Sequence, residues 1–169
     1  MKLTHFKALT FDCYGTLIDW ETGMLAALEP LAARSAQRPS REQLLEDYGT
    51  HEHDQQEQTP AMVYSKLLAV VYKRLAENWG APASWAECEA FGRSLHDWPA
   101  FADSAAALRY LKSHYRLYVL SNVDNESFTH SNRRLEVQFD GVMTAQDIGS
   151  YKPSHRNFRY MLARLASQG

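Results

Sequence analysis

The sequence is poor in cysteine, balanced in charge and without any long apolar run. Two cysteines in 169 residues, Cys13 and Cys88, are too few and too far apart for a disulfide framework. The amino terminus lacks the basic and apolar regions of a secretory leader, and together these features point to a reduced, cytoplasmic setting. A formal net charge of -2 and a pI near 6.4 leave no basic footprint for nucleic acid. No stretch approaches the roughly 18 apolar residues of a membrane-spanning helix. Repeats and low-complexity linkers are missing too. What is present is 45% hydrophobic content with 12% aromatics, enough to pack one ordinary domain, or a small core carrying an inserted subdomain.

Hydrophobic periodicity changes character twice along the chain. Residues 6–12 read as a short buried strand, after which the spacing turns helical from Trp20 to Leu95 with no convincing strand. A first helix carries Trp20, Met24, Leu25, Leu28, Leu31 and Ala32 on one face, and Pro30 is expected to kink or split it. Ser40 and Gln43 have capping-box spacing and open a second helix; Ser84 and Glu87 do the same for a fourth, expected to stop near Trp98 and Pro99. Between them the spacing predicts a third helix, capped by Thr59 with Pro60 in its first turn, burying Val63, Leu67, Val71 and Leu75. An alternating pattern then resumes. A helix capped by Asp103 precedes a strand at 116–121, a helix at 124–135, a strand at 141–145, a loop "QDIGSYKPS" and a last helix from about Ser154. Strands separated by helices predict a parallel sheet, so the expected class is α/β, a Rossmann-like core with an inserted helical subdomain.

Ligands of open α/β sheets bind at the carboxyl ends of the strands. Three polar groups fall there: Asp12 with Thr16, Ser121 with Asn122, and Lys152. A carboxylate can attack as a nucleophile, hydroxyls and backbone donors can hold an anion, and an ammonium can offset the negative charge gathered at that point.

The stretches "FDCYGTLID", "LSNVDN" and "SYKPS", in that order and with a helical insert after the first, resemble the first three motifs of the haloacid dehalogenase superfamily. That resemblance implies a core of 1–17 and 97–169, a cap of 18–96, and a central place for the Asp12 strand with the Ser121 strand on one side. It also implies that Asp12 attacks, that Gly15 lets the backbone turn under a bound anion, and that Thr16, Ser121 and Lys152 complete the catalytic set. Phosphatases of the superfamily usually carry a second aspartate two residues after the first, to protonate a leaving alkoxide. Here Tyr14 stands in its place, as in the 2-haloacid dehalogenase branch, where halide leaves without a proton. The implied reaction displaces halide from a small 2-haloacid, forms an aspartyl ester on Asp12 and hydrolyses it, with no metal or other cofactor. Tyr14, Asn122 and Arg41 would contact the substrate. Two rival readings stay open: a phosphatase that needs Mg2+ at Asp12, and a catalytically dead remnant or binding module.

The chain also departs from the branch. Phe158 stands where a tyrosine is usual, and the fourth motif, which would follow a further helix and strand, is missing, so the chain reads as truncated. An open edge on the Asp12 strand would then invite self-association. "HEHD" at 51–54 reads as a solvated helix face, because residues two apart point in different directions. Cys13 reads as a small buried side chain pointing away from the site. Trp20 and Trp98, at the two ends of the insert, could wall an apolar pocket or simply pack at its hinges.

Overall fold

The computed structural model of the chain describes residues 5–167. The elements run β1 (Ala8–Phe11), α1 (Trp20–Ala32), α2 (Arg41–Gln58), α3 (Tyr64–Asn78), α4 (Trp85–Ser94), a 3-10 turn (Leu95–Asp97) and α5 (Ser104–Lys112). They continue through β2 (Arg116–Ser121), α6 (Asn125–Leu135), β3 (Gly141–Thr144), α7 (Ala145–Ile148) and α8 (His155–Ala166).

The strands form a parallel sheet in the order β1-β2-β3, with Phe11 beside Val119 and Ser121 beside Thr144. β2 is buried from Leu117 to Ser121, the continuous apolar run of a strand covered on both faces. Central placement therefore belongs to the Ser121 strand. The Asp12 strand, central in the family by resemblance, has a partner on one side only among the described residues, which is the open edge expected of this chain.

The helical insert is organised by α3, which buries Leu67, Leu68, Val71, Tyr72 and Leu75 along one face. It packs on α4 so closely that a Cβ on Gly92 would come within 2.1 Å of the Ser65 carbonyl oxygen, so only glycine fits there. Both capping boxes form as expected, at Ser40 with Gln43 and at Ser84 with Glu87.

Several boundaries differ from expectation. Thr59 closes α2 instead of opening α3, its hydroxyl donating back to the Gln55 carbonyl at 2.9 Å, and α3 starts at Tyr64. A threonine can satisfy a helix end in either direction, so its spacing alone does not say which helix it serves. α1 runs unbroken to Ala32 because Pro30 sits in its last turn, where little helix remains to lose. α4 ends at Ser94 and the 3-10 turn carries the chain to Trp98. The loop after β3 begins with the one-turn α7, ended by Gly149 at φ 68°.

Two linkers join insert and core side by side. Asp19 N donates to the Pro99 carbonyl at 2.8 Å and Phe101 N to the Leu17 carbonyl at 3.1 Å. The buried Ser104 hydroxyl adds a bond to the same Leu17 oxygen at 2.8 Å. This pairing holds both ends of the insert beside the carboxyl end of β1.

Candidate active site

β1 ends at Phe11, and the next residue, Asp12, projects into solvent while its neighbour Cys13 is fully buried. The alternation of a strand continues through this pair and sends the two side chains opposite ways. The chain then folds over the Cys13 carbonyl, which accepts from Leu17 N at 2.7 Å and Ile18 N at 2.9 Å. Gly15 takes φ 92° in this turn, a conformation that other residues rarely adopt. Thr16 Oγ1 reaches Asp12 Oδ2 at 3.4 Å, a long bond. Burial first, and the neighbouring Asp12 second, push the Cys13 thiol well above its usual range, so it stays a thiol.

Lys152 arrives from the loop between α7 and α8. Its Nζ donates to Asp12 Oδ1 at 2.5 Å and to the Leu120 carbonyl at 2.8 Å. Asn122 fixes this loop, because its side chain pairs with both backbone groups of Lys152. Ser121, the last residue of β2, is buried, and its hydroxyl has no hydrogen-bond partner among the described residues.

These groups open onto a cavity of about 280 Å³. Asp12, Ser121, Asn122 and Lys152 form its core side; Trp20, Tyr48, Glu52, Gln56 and Tyr64 come from the insert; Tyr14 and Trp98 stand at the junction. The Tyr14 ring meets Trp98 edge to face at 6.1 Å, and its phenol shares a 2.7 Å hydrogen bond with Ser131. Burial, and then the adjacent Cys13, hold that phenol far above its ordinary pKa. Trp98 Nε1 is a second buried donor without a partner among the described residues.

The structure thus gathers Asp12, Thr16, Ser121, Lys152, Tyr14 and Asn122 in one place, six residues drawn from three separated stretches of sequence. Arg41 is elsewhere. It is exposed at the start of α2, paired with Glu21, and is not among the residues that line the cavity.

Glu52 has the opposite history. The "HEHD" run reads as a solvated face, yet Glu52 lines the cavity and accepts a hydrogen bond from the Tyr64 hydroxyl. It keeps some exposed surface but is densely surrounded by protein atoms, and this burial raises its carboxyl above the usual range. The available signal was Tyr48, Glu52 and Gln56 at four-residue spacing, which places all three on one side of α2.

Chemically, the arrangement offers one exposed carboxylate held by an ammonium, two unpartnered donors beside it, and an aromatic wall that narrows access to water. The aligned sequence matches the haloacid dehalogenase-like hydrolase family over residues 6–169. No curated protein matches it. Among solved structures it resembles the L-2-haloacid dehalogenase PA0810, with a TM-score of 0.78 and 21% identity over 95% of this chain and 71% of that one. It also resembles the L-2-haloacid dehalogenase of Xanthobacter autotrophicus with chloropropionic acid covalently bound, with a TM-score of 0.77 and 15% identity over 95% and 65%. A third similar structure is that of YfnB from Bacillus subtilis, bound to magnesium, with a TM-score of 0.73 and 19% identity over 94% and 74%. At these identities the structural likeness is one of fold, and the family rests on the sequence match. The chain belongs to the haloacid dehalogenase-like hydrolases.

Proposed function

We propose that this hydrolase displaces halide from a small 2-haloacid, with Asp12 as nucleophile and residues 18–96 as a cap over a core of 1–17 and 97–169. The observation that carries the reading is the state of Tyr14. Its phenol is committed to Ser131 and held strongly protonated, so the position two residues after Asp12 offers no acid for an alkoxide leaving in the first step, when Asp12 attacks. Halide leaves with its electron pair and needs no proton. The neighbour that holds chloropropionic acid covalently supports the same chemistry.

In the first step an Asp12 oxygen attacks the halogen-bearing carbon, the new C–O bond forms as the carbon–halogen bond breaks, and an aspartyl ester results. Water then attacks the ester carbonyl of Asp12 and the bond from that carbon to the substrate oxygen breaks; one water proton ends on the departing 2-hydroxyacid oxygen, the other goes to solvent, and the Asp12 carboxylate is regenerated. Lys152, 2.5 Å from Asp12 Oδ1, stabilises the negative charge that develops on that carbonyl. Ser121 and Trp98 supply unpartnered donors for the departing halide or the substrate carboxylate. Both cysteines are free and buried, in keeping with a reducing compartment.

Under the Mg2+ reading Asp12 would be the carboxylate that holds the ion, with waters and substrate oxygens completing its octahedral shell. One carboxylate oxygen of Asp12 is already taken by Lys152. A second reading is favoured by Glu52, whose raised carboxyl could serve as the acid that Tyr14 does not provide, on a substrate with a poorer leaving group.

The test is halide release from 2-chloropropionate by the purified chain with a chelator present, beside phosphate-ester hydrolysis with added Mg2+. Halide release that survives chelation supports the proposal. Phosphate-ester hydrolysis that requires Mg2+, with no halide release, overturns it.

A further inference from the structure

We propose that His96, Glu126 and His130 form a binding site for a divalent transition-metal ion, Zn2+ by donor chemistry, which ties the second linker of the insert to α6. One ligand atom from each of the three side chains lies within 4.8 Å of the other two. Glu126 and His130 are one turn apart on α6 and share a face, while His96 comes from the 3-10 turn packed against that helix. The two imidazoles stack face to face, with centroids 3.9 Å apart and planes 2° from parallel. Neither ring has a hydrogen-bond partner among the described residues, so an incoming ion displaces none.

Two imidazole nitrogens and one carboxylate suit Zn2+ and its neighbours in the transition series, whereas Mg2+ and Ca2+ prefer all-oxygen sets. Three protein ligands leave a fourth tetrahedral position for water. Bonds of about 2.0–2.1 Å to one tetrahedral ion hold the donor atoms roughly 3.4 Å from each other. Closing from at most 4.8 Å to that spacing takes a shift of up to about 1.4 Å and a tilt of one ring out of the parallel stack, within the rotamer freedom of partly exposed side chains. Asp97 and Asp124 add negative charge around His96, and the opposing cation, Arg134, is drawn toward Asp97 at 3.6 Å.

The position gives the ion a structural consequence. His96 lies two residues before Trp98, which lines the cavity, and His130 lies next to Ser131, which holds the Tyr14 phenol. An ion there fastens the junction between insert and core just behind two residues of the cavity wall. This site is separate from Asp12, so it stands or falls independently of the proposed reaction.

The test is a calorimetric titration of the purified full chain with ZnCl2, paired with thermal unfolding with and without the salt. One saturable site and a rise in Tm are expected. His96→Gln and His130→Gln should each weaken Zn2+ binding about tenfold or more, because each removes a directly coordinating nitrogen. Glu126→Gln should weaken it less, and a His51→Gln/His53→Gln double variant on α2 should bind as the parent does. Should a glutamine variant unfold, His96→Ala and His130→Ala serve in its place, and hydrogen exchange on the parent gives a reading that needs no variant: Zn2+ should protect residues 95–100 and 125–131. Absence of saturable binding, binding that survives loss of both His96 and His130, or binding lost with His51 and His53 would overturn the proposal.

Discussion

Asn122 grips the backbone of Lys152 from both sides: Lys152 N donates to Asn122 Oδ1 at 2.6 Å, and Asn122 Nδ2 donates to the Lys152 carbonyl at 3.0 Å. The pair joins the end of β2 to the loop before α8 and so sets where the Lys152 ammonium meets Asp12. In the proposed reaction Asn122 would therefore act through Lys152.

Asn122→Ala should release that loop. Displacing a catalytic group by about 1 Å can cost on the order of 100-fold, so a fall in kcat of about tenfold to 100-fold is expected, with KM little changed. Loss of two partly buried bonds should also lower stability by about 1–2 kcal/mol. Steady-state kinetics and urea unfolding check both, and an unchanged kcat would contradict the positioning role.

Ser121→Ala should separate stability from activity. The hydroxyl is buried without a partner among the described residues, a state that costs about 1–3 kcal/mol, so removing it is expected to raise stability by about 1 kcal/mol. Turnover should fall at the same time, because the donor offered to the anion is gone. A variant that is less stable and fully active would reverse both expectations.

Tyr14→Phe leaves the ring and removes the phenol, stranding the Ser131 hydroxyl. Stability should drop by about 1–2 kcal/mol. Turnover of a 2-haloacid should change only slightly, since halide departure draws on no proton from Tyr14. Loss of turnover in a variant shown to be folded by circular dichroism would make the phenol a participant.

Glu52→Gln tests the raised carboxyl by pH. Burial holds Glu52 above its ordinary range, so the folded protein binds that proton more tightly than the unfolded chain, where glutamate titrates near 4.3. The stabilisation is complete below that pH and is lost as pH rises through the higher folded value. Glutamine carries no such proton, so the stability of the variant relative to the parent should climb from about pH 4.3 upward and then level off. Denaturant unfolding across pH measures this, and a flat difference would show Glu52 to be an ordinary exposed acid.

What the sequence showed and what it hid follow from the range of the forces involved. Capping boxes at Ser40 and Ser84 and the buried strand 116–121 are local signals, and they appear where periodicity and spacing put them. Asp12, Ser121 and Lys152 come together because strand ends in a parallel sheet converge, a topological rule that a sequence can carry. Glu52 was hidden because its burial depends on α3 and the core closing over α2, and its polar neighbours mimic a solvated face. Arg41 misled for the converse reason, since only the fold shows that Glu21 on α1 claims it. The open edge of β1 was legible from the order of the motifs, and not from periodicity along the strand, which does not encode pairing.

The most direct test of the central claim, covalent catalysis by Asp12, is a single turnover of a 2-haloacid in heavy-oxygen water with enzyme in excess, followed by peptide mass analysis. Because water attacks the carbonyl of the aspartyl ester, the label is expected in the peptide carrying Asp12, and the new hydroxyl of the product should be unlabelled. Label in the product hydroxyl with none in Asp12 would mean that water attacks the substrate directly, and the account would be wrong.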